Sequence, residues 1–363
     1  MVRVLVVDDS AVVRRLLAAT LQREPDIEVI TAVDPFDARE KVLRFAPDVI
    51  TLDIEMPRMD GLSFLQRLMK HHPVPVIIVS SLTPRRSDIA VHALQLGALE
   101  VVAKPAGPAA VTDMAAQLLR AVRAAAAADV RHLARGHAQP AGHPSRARRG
   151  GVVSAQARDD AAAAVVAIGA STGGPVAIEQ VLASFPDDGP GVLVVQHMPA
   201  GFTAAFARRL DSWCRLEVRE ARDGDLVRPG IALVAPGGRH MVLQRDAGGM
   251  VVAVRDGPQV HYQKPSVDVL FHSVAASAGA DAVGVLLTGM GSDGASGLRA
   301  MRDAGAHTIA QDEATSVVFS MPGEAIRFGG ACEVLPLPRI GAAAATAATP
   351  RPRRAGTPAC RDS

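Results

Sequence analysis

Three residues whose types together could do hydrolytic chemistry end three apolar runs: Ser171, His197 and Asp293. Ser171 lies in Gly169-Ala170-Ser171-Thr172-Gly173, a G-x-S-x-G stretch directly after Val165-Val166-Ala167-Ile168. His197 follows Val192-Leu193-Val194-Val195-Gln196, and Asp293 sits in a glycine-rich loop after Val283-Gly284-Val285-Leu286-Leu287. A serine hydroxyl is a poor nucleophile until a base takes its proton, and a histidine does this when a carboxylate holds its other nitrogen. In an open α/β sheet such groups gather at the carboxyl ends of parallel strands. The chemistry expected is that of a serine hydrolase.

Glycines at 169, 173 and 174 allow a sharp turn that projects Ser171, and backbone N–H groups near it can bind an oxyanion. Thr172 and Met290 are the candidate oxyanion residues, and a helix starting near Pro175 would aim its positive end at the same point. G-x-S-x-G by itself also fits a packed strand-to-helix turn. The order adds information: α/β-hydrolases run nucleophile, acid, histidine, whereas this chain runs Ser171, His197, Asp293. A dinucleotide loop of the G-x-x-x-G-G kind is the rival reading. It would require a downstream Tyr-x-x-x-Lys pair, but the single tyrosine, Tyr262, has Ser266 four residues on.

A second constellation lies near the N-terminus. Asp8 and Asp9 end the first apolar run, Asp53 ends the third, Ser80 the fourth and Lys104 the fifth. Clustered carboxylates repel one another and match a hard divalent cation such as Mg²⁺. A lysine and a hydroxyl beside them suit the oxygens of a phosphoryl group carried on a carboxylate. Taken singly, Asp8-Asp9 could merely cap a helix and Lys104 be a surface charge; the joint pattern points to a phosphorylation site.

The elements that must position these groups follow from periodicity. Val2–Val7, Ile27–Val33, Val49–Leu52, Val76–Val79 and Leu99–Ala103 read as short buried strands. Between them Val13, Leu16, Leu17 and Leu21 recur at helical spacing behind a Ser10 cap. The expected fold class is α/β: a five-stranded, flavodoxin-like parallel sheet, then a doubly wound α/β unit with a β-hairpin, placed near Leu226–Gly230 and Ala235–Gly238. The domain expectation is 1–125 for the first unit, 126–160 for a flexible linker, 161–340 for the catalytic unit and 341–363 for a disordered tail.

Composition bounds the partners. The chain has 363 residues, 48% of them hydrophobic but only 3% aromatic, so the cores must be built from Val, Leu, Ile and Ala. Five arginines between 131 and 157, with no acidic residue among them, exceed the net charge of +2; without them the rest carries about −3. Nucleic acid is therefore not an expected partner. The three cysteines have no zinc-ligand spacing, and no apolar run reaches a membrane-span length. The first residues reach Asp8-Asp9 too early for a signal peptide, so a cytoplasmic protein is expected, with no membrane insertion.

VLVVDDS, ITLDIEMPRMDG, VIIVSS and VVAKP, over residues 2 to about 123, resemble the receiver domain of two-component response regulators. The resemblance implies that Asp53 is phosphorylated by a chemotaxis histidine kinase, with Mg²⁺ held by Asp8, Asp9 and Asp53, and with Ser80 and Lys104 sensing the phosphoryl group. Many receivers carry an aromatic residue three positions before the lysine; here it is Val101. VAIGASTGGPVAI, VLVVQHMPAGF, KPSVDVLFHSVA, VLLTGMGSDGASGL and SVVFSMPGEAI, over about 165–327, resemble the CheB type of chemotaxis protein-glutamate methylesterase. That implies Ser171 as nucleophile, His197 as base and Asp293 as orienting acid. It further implies glutamate methyl esters of methyl-accepting chemoreceptors as substrate, deamidation of certain receptor glutamines, and no cofactor for the esterase. Ser320 stands where this family's pattern has glycine. Two other readings are a regulator whose hydrolase unit only binds partners, and a hydrolase acting on some non-receptor ester.

Overall fold

Val and Ile dominate the first set of apolar runs because the strands are covered on both faces, which removes any polar alternation. A computed structural model of the chain describes residues 1–56, 60–105, 107, 110–128 and 164–349. It forms two compact units, Met1–Ala138 and Gln139–Ser363, each around its own parallel sheet. The first sheet contains β1 (Val2–Val7), β2 (Ile27–Ala32), β3 (Val49–Leu52), β4 (Val76–Ser80) and β5 (Glu100–Ala103), in the order β2-β1-β3-β4-β5. Its helices are α1 (Ala11–Leu21), α2 (Pro35–Phe45), α3 (Gly61–His71), α4 (Pro84–Gln95) and α5 (Val111–Ala126). Ser10 caps α1 through the Val13 N–H as the sequence predicts, and Asp34, Asp60 and Thr83 cap the next three. Helix α5 runs through the alanines to Ala126. Alanine is the best helix former, and Ala124 and Ala125 are buried.

The second unit has β6 (Val165–Ala170), β7 (Gly191–Gln196), β8 (Glu217–Glu220), β9 (Ile231–Val234), β12 (Ala282–Leu286), β13 (His307–Gln311) and β14 (Glu333–Leu335). Their order is β14-β13-β12-β6-β7-β9-β8, and every pair is parallel. The chain enters at β6, builds toward β7 on one side and later returns to β12 on the other. The carboxyl end of β6 is thus a topological switch point, where the connections diverge and leave a crevice. The helices are α6 (Gly174–Ala183), α7 (Thr203–Trp213), α8 (Val267–Ala278), α9 (Ala295–Asp303), α10 (Met321–Arg327) and α11 (Leu337–Ala347).

Two expectations need correction. The hairpin is formed by β10 (His240–Asp246) and β11 (Gly249–Arg255), C-terminal to the segment predicted, while Ile231–Val234 is a sheet strand. Met241 and Leu243 alternate inward on one arm, Met250 and Val252 on the other, and all four join the core of α8. Each such burial contributes about 1.5–3 kcal/mol. Residues 341–347, expected in a disordered tail, belong to α11. Ile340 and Ala344 are buried, and Gly341 backs so closely on α6 that a Cβ would lie 2.6 Å from the Val181 carbonyl oxygen. Most of the proposed linker, and the tail beyond residue 349, lie outside the described residues.

Candidate functional site

Three strand ends carry the hydrolytic candidates, and main-chain hydrogen bonds join them. Ser171 directly follows β6, and its N–H donates to the Thr288 carbonyl beyond β12 at 3.0 Å. On the other side the His197 N–H, directly after β7, donates to Ala170 O at 3.0 Å. Gly173, at φ +77°, turns the chain into α6. Gly289 lets the β12 loop approach Ser171, since a Cβ there would lie 2.6 Å from Ser171 Cβ. Ser171, His197 and Asp293 are all buried, at 6%, 7% and 2% exposure, so their electrostatics are little screened.

His197 Nε2 lies 2.7 Å from Asp293 Oδ2. Asp293 also accepts Val267 N–H on Oδ2 (2.7 Å), and Ser266 Oγ–H (2.8 Å) and Asp268 N–H (3.0 Å) on Oδ1. All four of its lone-pair positions are used, three of them at the start of α8, where backbone N–H groups favour an anion. Burial alone would raise the Asp293 pKa. The His197 hydrogen bond and charge, with the Val267 and Asp268 N–H groups, outweigh burial and hold it below the ordinary carboxylate value. A carboxylate with only accepting capacity requires Nε2 to carry the proton. Nδ1 is then the basic nitrogen, and it is buried without a hydrogen-bond partner among the described residues. In chymotrypsin-type triads Nδ1 faces the acid instead. No Ser171–His197 side-chain hydrogen bond is formed; catalytic hydrogen bonds commonly close only around substrate.

Thr172 is buried behind Ser171, whereas Met290 is 39% exposed on the β12 loop. Ser320, in place of the family glycine, accepts the Gly291 N–H at 3.2 Å and donates to Gly291 O at 2.9 Å, stapling the loop between Met290 and Asp293. Three supporting residues escaped sequence reasoning: Ser266, Asp268 and His240. Ser266 N–H donates to His240 Nδ1 at 3.2 Å, and Asp268 Oδ1 accepts the Gly297 N–H at 2.7 Å. For Ser266 and Asp268 the only sequence signal was membership of KPSVD and a Ser capping pattern before an apolar run; His240 had none.

The first unit brings its acidic candidates together as well. Lys104 Nζ lies 2.7 Å from both Asp8 Oδ2 and Asp53 Oδ2. Burial disfavours the ammonium, but hydrogen bonds and charge from Asp53 and Asp8 outweigh it and raise the Lys104 pKa. Asp53 is also raised, first by burial and further by Asp8, which together outweigh the Lys104 hydrogen bond and charge. Asp8, Asp9 and Asp53 can each offer an oxygen within 4.8 Å of the others, a donor set that fits a hard divalent cation. Ser80, the last residue of β4, is buried, and its carbonyl accepts the Lys104 N–H at 2.8 Å. Gly61 gives room behind Asp53, since a Cβ would sit 2.4 Å from its carbonyl oxygen. Val101 is buried in β5, so no aromatic ring is available there to turn inward.

Comparison with known proteins matches both units. Residues 166–344 match the family model for CheB methylesterase and residues 4–116 that for the response regulator receiver domain. Protein-glutamate methylesterase/protein-glutamine glutaminase 2 of Syntrophus aciditrophicus is 50% identical, covering 93% of this chain and 97% of that protein. The enzyme of the same name from Escherichia coli K12 is 48% identical, covering 93% and 95%. The crystal structure of the Thermotoga maritima CheB methylesterase catalytic domain matches with a TM-score of 0.50 and 37% identity, over 51% of this chain and 98% of that one. Identity near one half along almost the whole length, with both family models matching this chain, leaves one assignment: the chain belongs to the CheB family of receiver-containing chemotaxis protein-glutamate methylesterase/protein-glutamine glutaminases.

Proposed function

We propose that the chain hydrolyses glutamate methyl esters on methyl-accepting chemoreceptors to glutamate and methanol, with Ser171 as nucleophile. The observation that carries this is the buried His197–Asp293 pair, which leaves Nδ1 as the nitrogen able to act as base, on the strand end neighbouring that of Ser171. Nδ1 takes the Ser171 proton as Oγ bonds to the ester carbonyl carbon, and the carbonyl electron pair moves onto oxygen. Thr172 and Met290 backbone N–H groups are assigned to that oxyanion. Collapse breaks the bond to methoxide, which leaves as methanol with the proton from His197. Water then attacks the glutamyl-Ser171 ester, giving its proton to Nδ1, and Ser171 regains a proton as glutamate departs. Deamidation follows the same path with ammonia as the leaving group.

The receiver reading assigns Asp53 as acceptor of a phosphoryl group from a chemotaxis histidine kinase. Bound Mg²⁺ would supply charge neutralisation for that transfer. Asp8, Asp9 and Asp53 would hold it, while Lys104 and Ser80 bind phosphoryl oxygens. Among the described residues no helix is long and apolar enough to cross a membrane, which supports a cytoplasmic enzyme acting on the cytoplasmic part of its receptors. Phosphorylation of Asp53 is proposed to raise esterase activity, a covalent charge change biasing a two-state equilibrium.

Methanol release from methylated receptor membranes, with and without acetyl phosphate plus Mg²⁺, tests the activity; no release from the intact chain overturns it. Removal of residues 1–130 tests the regulation, with the response to acetyl phosphate lost while basal release persists; a response retained without the receiver would refute it.

A further inference from the structure

Gln196 ends β7, pairs in register with Ala170 and is 2% exposed. Its Nε2 donates to Ser171 O at 2.8 Å and to His197 O at 3.1 Å. Both hydrogens of one side-chain amide are therefore spent on the main chain of the nucleophile and of the base. The opposite amide orientation would set an oxygen against two carbonyl oxygens, so the assignment is fixed by its partners. Gln196 Oε1, meanwhile, is buried without a hydrogen-bond partner among the described residues. Buried amides ordinarily satisfy both ends, so an oxygen left unpaired here calls for an explanation. The neighbouring sequence also yields to it: a Cβ on Gly174 would fall 2.1 Å from Oε1. An amide retained at a cost to the core, in space cleared by a glycine, points to a task other than stability.

We infer that Gln196 is a positioning residue that locks nucleophile, base and oxyanion donor into one unit. The inference rests on the reading of Ser171 and His197 given above. A trans peptide is planar, so its N–H points away from its C=O. Ser171 O is held by Gln196 and by the Gly174 N–H, at 2.8 Å. That fixes the plane of the 171–172 peptide and with it the direction of the Thr172 N–H. The second bond does the same for the peptide from which the His197 ring is hung. Sequence alone hides this role, because Gln196 reads as an ordinary polar residue ending a strand.

The test uses the full chain on methylated receptor membranes and compares Gln196→Leu, Gln196→Glu and Gly174→Ala with the unaltered protein. Gln196→Leu should lower kcat about 10- to 100-fold, less than the 10²–10³ for losing an oxyanion donor outright, with KM nearly unchanged. A neutral Gln196→Glu retains one O–H donor, whereas an ionised one has none and repels both carbonyls. Its activity relative to Gln196→Leu should therefore fall as pH rises, a dependence that a space-filling role would not produce. If Gln196→Leu fails to fold, Gly174→Ala, which displaces the amide without removing it, should show the same kcat loss. Near-normal kcat in folded Gln196→Leu, or in folded Gly174→Ala where the Leu variant does not fold, overturns the inference, as does a pH-independent Glu-to-Leu ratio. Fluorophosphonate labelling separates the two levels. Labelling of Ser171 with normal kcat in Gln196→Leu sinks only the positioning role, whereas an unlabelled Ser171 sinks the nucleophile assignment itself.

Discussion

Asp293→Asn tests the triad more severely than removal of the nucleophile does, because the acid here has no innocent replacement. An amide keeps one accepting oxygen and turns the other position into a donor. Placing its NH₂ where Oδ1 was sets it against the Asp268 N–H; placing it where Oδ2 was sets it against the Val267 N–H and the His197 ring. Either orientation leaves one buried backbone N–H unpaired, at a cost of about 1–3 kcal/mol. At roughly 2–4 °C per kcal/mol for a unit of this size, the melting temperature should fall by about 2–12 °C. The second orientation also forces the proton of His197 onto Nδ1, where it cannot act as base. In chymotrypsin-type triads the same change costs about 10⁴ in turnover. Because one orientation keeps the productive tautomer, we expect a loss of about 10²–10⁴ in kcat, measured by methanol release on protein verified as folded by circular dichroism. A loss of only a few-fold in a folded, destabilised protein would refute the reasoning, since another group would then be orienting His197.

Ser171→Ala should abolish methanol release while shifting stability by less than about 0.5 kcal/mol, because the change opens little space and the Ser171–His197 bond is not formed at rest; activity near that of the parent would end the nucleophile assignment. Asp53→Asn should remove the response to acetyl phosphate plus Mg²⁺, since an amide cannot accept the phosphoryl group, and undiminished stimulation would remove Asp53 as acceptor. Asp293 has a depressed pKa when folded, so its stabilising contribution is complete above the unfolded value of about 4 and is lost as pH falls through the folded one. The stability gap between the parent and Asp293→Asn should therefore narrow below about pH 4; a constant gap down to pH 2, by thermal melts, would contradict the pairing.

What the sequence disclosed was periodic or local. Strands buried on both faces, such as Val49–Leu52 and Val76–Ser80, read as uninterrupted apolar runs, and the Ser10 cap is a contact across three residues. Chemistry at strand ends was legible because the residue after each run is fixed by the run itself. Longer-range facts were not. The hairpin's inward set, Met241, Leu243, Met250 and Val252, is defined only by the helix it packs on. Helix α11 looked like low-complexity tail because alanine carries no periodic signal, and what orders it is the close approach at Gly341. The partners of Asp293 are 25 to 27 residues upstream, and the Ser171–Gln196 contact spans 25. Spacing of that kind carries no periodic trace.

The unusual order of the triad follows from the sheet. β6 holds the centre, with β7 hydrogen-bonded on one side and β12 on the other, so a nucleophile on the first strand meets its base on the second. The acid comes after the crossover to β12 and would arrive on the far side of Ser171. It reaches His197 while held by the start of α8: Ser266 and Asp268 bind Oδ1 of the Asp293 carboxylate, and Oδ2 takes both the Val267 N–H and the ring. A helix N-terminus therefore fixes the acid across the gap that the strand order creates, and keeps it ionised by the same N–H donors. Placement of the acid and its charge state are thus one property, which is why an isosteric amide at 293 is expected to disturb stability and turnover together.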